Sequence, residues 1–352
     1  MERKASVRVT TVTGAAAAAA VLWACAAWGQ PALYSNGSPY ALPGAAESPG
    51  LATGAVTFNG TAAPQGSVWS EVQGVSASEG NSVAGFSGHA IGPVTESGYR
   101  FADDFVVSGP AWMRVSGLTL FAYQPGATAA PFDRVSVRIW SAAAGQPPGG
   151  AGSQLVFGDA TTNVLTSVTG SYIYRVLSTR VAPVSPPDQS RRIWRLNVTL
   201  PEVMLPPGRY WLDWQIGCVD PTGQAFTPTV TLSSQRGRPG ANAMQLKPTG
   251  WTPLTDAGKP LTAADVAQEL PFILRGDLVT PPTCLADVVG IGGEPPADGQ
   301  LSGDDFIAFI NAFASGEALA DLVGIGGEPP ADGLVTGDDF VAFVTAFASG
   351  CP

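Results

Sequence analysis

Val115-Ser116-Gly117-Leu118-Thr119-Leu120-Phe121-Ala122-Tyr123 shows an alternation of apolar with polar or small side chains. A period of two puts one set of side chains on each face of a strand. Arg134-Val135-Ser136-Val137-Arg138-Ile139-Trp140 and Arg192-Ile193-Trp194-Arg195-Leu196-Asn197-Val198-Thr199-Leu200 repeat the pattern. Turn signals such as Gln146-Pro147-Pro148-Gly149-Gly150 and Leu205-Pro206-Pro207-Gly208 separate these runs. Short strands at regular spacing, with hardly a helical period among them, predict an all-β antiparallel sandwich of jelly-roll-like type over residues 56–279. More than 200 residues suffice to bury a full core without metal or disulfide.

One later strand carries chemistry of its own. In Tyr210-Trp211-Leu212-Asp213-Trp214-Gln215 the faces differ, with Tyr210, Leu212 and Trp214 on one side and Trp211, Asp213 and Gln215 on the other. The second set offers a ring beside a carboxylate and an amide, a combination that stacks on and hydrogen-bonds a saccharide. An ordinary sandwich core is the competing reading. Asp103-Asp104 is a candidate for a second calcium site or a catalytic carboxylate, against the commoner use of paired Asp as a turn cap.

Beyond residue 280 the pattern changes. The unit Leu-Ala-Asp-Val-Val-Gly-Ile-Gly-Gly-Glu-Pro-Pro-Ala-Asp-Gly begins at Leu285 and recurs, with one change, at Leu319. Each copy runs on into Gly-Asp-Asp-Phe. Apolar residues then follow at helical spacing, Phe306, Phe309, Ile310 and Phe313 in the first copy and Phe340, Phe343, Val344 and Phe347 in the second. A calcium loop takes oxygen ligands at positions 1, 3, 5, 7, 9 and 12, with Gly at 6 for the sharp turn. With Asp298 at position 5, Gly299 falls at 6, the carbonyl of Gln300 at 7, Ser302 at 9 and Asp305 at 12. In the second copy Asp332, Gly333, Leu334, Thr336 and Asp339 take these places. Asp287 and Asp321 stand where position 1 is needed. They lie 11 residues before Asp298 and Asp332 rather than four. The Gly-Gly-Glu-Pro-Pro insert must therefore fold out to return them, with Glu294 or Glu328 as a further ligand. Asp304 and Asp338 sit where an acid favours a helix N-terminus. The alternative is a metal-free helical pair whose Asp residues cap helices and turns.

This repeat resembles dockerin, the duplicated calcium-loop-and-helix module that ends many secreted bacterial proteins, in the variant bounded by Cys and Gly-Cys. The resemblance covers about a fifth of the chain. It implies Ca2+ held by Asp287, Asp298, Asp305, Asp321, Asp332 and Asp339. It also implies docking onto a cohesin-like or other cell-surface protein. The brackets make Cys284 and Cys351 the natural oxidised pair, a closure that contributes roughly 4 kcal/mol in the chain-entropy model. Cys218 is left as a small buried apolar residue. The body, through Ala102-Asp103-Asp104-Phe105, the Tyr210 to Gln215 run and Leu270-Pro271-Phe272, is similar to a secreted bacterial sandwich domain without an assigned activity.

Charge separates the two parts. The tail from Cys284 onward has eight Asp, three Glu and no Lys or Arg, so of the chain's net charge of −10 it holds −11 and the rest holds +1. Uncompensated carboxylates at that density repel one another, which favours a cation. A neutral body with dispersed Lys and Arg makes nucleic acid an unlikely partner. Arg3, Lys4 and Arg8, the apolar run from Gly14 to Trp28 and Ala27-Trp28-Gly29 predict a signal peptide over 1–29. No later stretch is apolar enough to cross a membrane. Residues 30–55 are expected as a flexible lead-in, 280–283 as a linker, and 284–352 as the repeat pair, divided into 284–316 and 317–352.

Catalytic machinery is sparse. His89 is the sole His, so His-rich zinc sites are excluded and any triad depends on it. A glycosidase needs two facing carboxylates; Asp103, Asp104, Asp133, Asp213, Glu202 and Glu269 are the body's candidates. The expectation is a secreted, non-enzymatic sandwich attached through its calcium-binding tail to a cell-surface or extracellular partner. A polysaccharide-binding module or a glycoside hydrolase on the same tail is the alternative.

Overall fold

The structure, a computed structural model, describes residues 32–36, 50–88, 99–108, 111–143, 145–279, 284–290, 292–295, 297–328 and 331–350. The expected signal peptide, His89, the linker and Cys351 lie outside them. No helix among the described residues is long and apolar enough to cross a membrane.

The expected sandwich is present as two sheets. One has the order β1 (Ala32–Asn36), β16 (Phe272–Val279), β5 (Trp112–Tyr123), β9 (Arg192–Leu205), β8 (Leu165–Val176) and β2 (Val68–Glu71). Beside this path β11 (Ala225–Thr227) joins β3 (Phe86–Gly88) to β5. The other sheet runs β13 (Gly250–Pro253), β12 (Met244–Lys247), β4 (Arg100–Val107), β10 (Gly208–Cys218), β6 (Phe132–Ser141) and β7 (Leu155–Gly158). A two-stranded ribbon, β14 (Thr255–Asp256) with β15 (Val266–Ala267), lies apart from both orders. The pairs β1·β16, β8·β9, β6·β10, β6·β7, β4·β12 and β12·β13 are antiparallel, whereas β2 runs parallel to β8, so the larger sheet is mixed at that edge.

Aromatic side chains from both sheets meet between them. Phe105 of β4 stacks on Tyr210 at 5.5 Å and meets Tyr34 of β1 at 5.8 Å and Phe272 of β16 at 6.2 Å. Trp214 bridges Phe101 and Phe272, each at 6.2 Å. Such pairs add about 0.5–1.5 kcal/mol each beyond the area they bury. The inward set Tyr210, Leu212 and Trp214 is the one that alternation predicts.

The expectation of a flexible lead-in over residues 30–55 changes. Residues 32–36 of the supposed lead-in form β1, which pairs with β16 through Asn36 opposite Phe272 and Tyr34 opposite Leu274. Leu51 and Ala52 cover the outer face of the larger sheet, packing with Phe121, Tyr123, Ile173, Ile193 and Ile273. That cover contributes to the burial of Phe121 and Tyr123, so that β5 is buried on both faces from Leu118 to Tyr123.

By backbone proximity the chain divides into two compact units. The first takes in residues up to Phe105, Val115–Val203 and Tyr210–Asp277, and the second takes in Val106–Arg114, Met204–Arg209 and the tail from Leu278. Within the tail, α1 (Gly303–Ser315) and α2 (Gly337–Ser349) are joined by the 3-10 turn Ala318–Ala320. Phe309, Phe343, Ala312, Ala320, Ala286 and Cys284 form their shared core.

Candidate functional site

Each tail helix begins on a capping box. Ser302 is the N-cap of α1, and its hydroxyl accepts from the N–H of Asp304, while the Asp305 carboxylate returns to the Ser302 N–H at 2.8 Å. Thr336 and Asp339 repeat this at α2, with 2.7 Å for the return bond. Two orphan N–H groups at the helix start are satisfied reciprocally by this pattern.

Asp305 does more than cap. Its Oδ1 accepts from the N–H groups of Val288 and Val289 at 3.0 and 3.1 Å, while Oδ2 accepts from the Ser302 N–H and hydroxyl. Both oxygens thus hold two donors apiece, and the side chain is fully buried. Asp339 does the same with Leu322, Val323 and Thr336. Burial pushes the Asp339 carboxyl up, but the N–H donors of Val323, Thr336 and Leu322 outweigh it and leave it below the ordinary range. At position 12 of the loop, then, the carboxylate clamps the loop's beginning to the helix's beginning.

The expanded loop closes. Asp287 Oδ2 accepts from the Gly299 N–H at 2.7 Å and Oδ1 from the Asp298 N–H at 3.3 Å. In the second copy Asp321 takes the Gly333 and Asp332 N–H groups at 2.7 and 3.2 Å. Gly299 and Gly333 have φ of 84° and 89°, the left-handed turn that position 6 requires. The insert folds out on its own backbone bonds, from Gly290 N–H to Glu294 carbonyl and from Gly324 N–H to Glu328 carbonyl, each at 2.9 Å. The Glu294 and Glu328 side chains point to solvent. Asp304 and Asp338 tie the insert back by accepting from Gly292 and Gly326 at 3.0 Å.

Burial pushes the Asp287 carboxyl above its ordinary value against the N–H groups of Gly299 and Asp298, and the carboxylates of Asp305 and Asp298 add to the rise. Like charges are thus gathered around Asp287 in a tail without a basic residue. The available donors are all oxygen, the chemistry of a hard cation such as calcium. Among the described residues, however, no three His, Cys, Asp or Glu side chains converge on one point as a complete metal site. The Asp287, Asp298, Asp321 and Asp332 carboxylates and the carbonyls of Gln300 and Leu334 are the atoms that would hold an ion. Asp305 and Asp339, at position 12, and Ser302 and Thr336, at position 9, also serve the caps. Cys284 is buried and is not a free thiol, whereas Cys218 is free and buried, its thiol pushed up to about 11 by burial.

The saccharide face expected on β10 is corrected. Trp211, Asp213 and Gln215 are only 6%, 0% and 1% exposed. Asp213 accepts from Arg100 Nε at 2.5 Å, Arg138 Nε at 2.7 Å and Trp140 Nε1 at 3.2 Å. Because β10 lies between β4 and β6, its carboxylate neutralises one guanidinium from each neighbour. The Trp211 indole donates to the Gln146 carbonyl at 3.1 Å, and Gln215 donates to the Tyr99 carbonyl at 3.1 Å. The Trp211 ring is therefore not open to a sugar.

Asp103 lies between the sheets, fully buried. It accepts from the Leu270 N–H at 2.6 Å, the Asn36 amide at 2.9 Å and the Asp104 N–H at 2.9 Å. Burial, then the neighbouring Glu269, raise its carboxyl well above the ordinary range. Glu269 is itself pushed to about 7 by burial, opposed by Arg238. The pair fastens β1 and the start of β16 to β4.

No family model, no curated protein and no solved structure matches this chain.

Proposed function

We propose that this is an exported sandwich protein whose duplicated C-terminal module binds calcium and docks the chain onto a cell-surface or extracellular protein. The supporting observation is the closure of Asp287 onto Asp298 and Gly299, repeated bond for bond by Asp321, Asp332 and Gly333. A bound ion would be held by these Asp carboxylates and by the Gln300 and Leu334 carbonyls. It would supply the positive charge that the tail lacks. Asp305 and Asp339 would shape the loops, and oxidised Cys284 and Cys351 would close the module as the dockerin likeness implies.

A protein partner suits the surface. Ile307 and Val341, one repeat apart, are 60% and 64% exposed, and Phe306, Phe340 and Val344 are also exposed, apolar side chains that a protein partner can cover. For the body we adopt the jelly-roll reading: the runs β1-β16-β5-β9 and β4-β10-β6-β7 have the interleaved order of two Greek keys. A binding role suits the burial of Asp103 and Asp213, whose oxygens already serve neighbouring strands.

Calorimetric calcium titration of the full chain, against the double variant Asp287→Asn and Asp321→Asn, tests the reading. Two saturable sites in the wild type and none in the variant are expected. Equal heats in both proteins, or no heat and no rise in Tm with calcium, would return the module to a metal-free cap.

A further inference from the structure

A cleft of about 160 Å3 opens in the body, lined by Phe58, Glu71, Gln73, Gly74, Arg180 and the serines 178, 233 and 234. Phe58 is 63% exposed, the highest value of any Phe among the described residues. An exposed ring is usually a mobile one, yet this one is held. Its backbone N–H donates to Glu71 Oε2 at 2.7 Å, and the next N–H, of Asn59, donates to the Thr179 hydroxyl at 3.1 Å. The other Glu71 oxygen accepts from the Thr179 N–H and hydroxyl, both at 2.6 Å. A buried carboxylate thus locks the loop bearing Phe58 to the loop bearing Arg180.

Arg180 lies over the ring, its guanidinium carbon 4.5 Å from the centroid. Among the described residues the guanidinium makes one hydrogen bond, from Nη1 to the Gly74 carbonyl at 3.3 Å, and no carboxylate pairs with it. The remaining guanidinium donors form a planar fork suited to a carboxylate or sulfate. Across the cleft the Ser233 and Ser234 side chains are exposed. The Ser234 N–H is fixed by Gln73 Oε1 at 3.0 Å, on a backbone with φ of 60°. A non-glycine residue held in that region is a strained one, and such strain clusters at ligand-binding sites.

We infer that this cleft binds an anionic sugar ring, the ring resting against Phe58, its carboxylate or sulfate on Arg180 and its hydroxyls on the serines. A fixed apolar plate beside a few convergent polar groups is the form a small-ligand site takes. The volume suits one ring of a longer chain. This inference is independent of the calcium tail.

The experiment is a binding titration of the full chain in chelator, so that tail chemistry does not contribute, with Phe58→Ala and Arg180→Lys beside the wild type. The probes are hexameric oligogalacturonate, a sulfated galactan oligosaccharide, neutral xylohexaose and inorganic sulfate. Binding of one acidic oligosaccharide, weakened at least about tenfold in each variant with Tm unchanged, is the expected result. Whichever acidic probe binds identifies carboxylate or sulfate as the recognised group. Three outcomes would overturn the inference: acidic probes bound equally by all three proteins, xylohexaose bound as tightly as the acidic probes, or no probe but inorganic sulfate bound.

Discussion

Phe309 and Phe343 stack face to face at 3.8 Å with their planes 2° apart. Each is the other's counterpart in the repeat. Around them the contacts exchange: Phe306 of α1 meets Phe347 of α2 at 5.3 Å, and Phe340 of α2 meets Phe313 of α1 at 5.4 Å. This reciprocity is that of a two-fold interface built within one chain. Truncating either stacked ring opens a cavity that the other cannot fill. Phe309→Ala and Phe343→Ala are each expected to destabilise the tail by about 3–5 kcal/mol, read as a lowered tail transition in urea unfolding of the full chain.

Asp305 and Asp287 are predicted to respond differently. Asp305→Ala strands the N–H groups of Val288, Val289 and Ser302. Loss of a cap plus buried unsatisfied donors should cost about 3 kcal/mol or more with or without calcium. Asp287→Asn keeps an acceptor for Gly299, so its chelated protein should melt within a degree or two of the wild type and differ only when calcium is added. Thermal melts in chelator and in calcium separate the two effects.

Asp213 neutralises Arg100 and Arg138 inside the body. Asp213→Asn leaves a fully buried guanidinium without its anion, which should destabilise the body by about 3–5 kcal/mol. Equilibrium unfolding in urea should show a lower midpoint.

The Asp103 and Glu269 pair imposes a pH dependence of unusual sign for acids. Both carboxyls are raised in the folded protein, chiefly by burial, so the native state binds protons more tightly than the unfolded chain. Their contribution is fully present below the ordinary carboxylate range and is lost as pH rises through about 7. Tyr34, Asp104 and Arg238 are the other ionisable groups beside the pair. Tm should fall from pH 5 to pH 8, and Glu269→Gln should flatten that fall. An equal slope in the variant would remove Glu269 from the account.

Alternation in the runs from Val115, Arg134 and Arg192 sufficed to read the sandwich, because each has a core face. It also assigned the inward set of β10. It failed on Trp211, Asp213 and Gln215 because a second buried face looks the same as an exposed polar one when its charges are paired by distant strands. Leu51 and Tyr34 were missed for a related reason: a short strand and two covering residues inside a Pro- and Gly-rich stretch have no period to betray them. In the tail the spacing set out Asp298 and Asp305, since that half of the loop is local in sequence, while Asp287 departed from it and joins them only because the insert folds out. It could not separate the clamp from the carboxylates that face the loop. The Phe58 cleft had no linear signal, being assembled from four segments between residues 58 and 234.

Asn36 lies opposite Phe272 where β1 pairs with β16, so the first and last strands of the body close on each other. A chain that emerges from its N-terminus must therefore keep β1 waiting until nearly the whole body has followed. Loop closure of that span is slow, and until β16 arrives Tyr34 lacks the Phe272 ring that covers it. The body's folding thus waits on the synthesis of β16, more than 200 residues after β1.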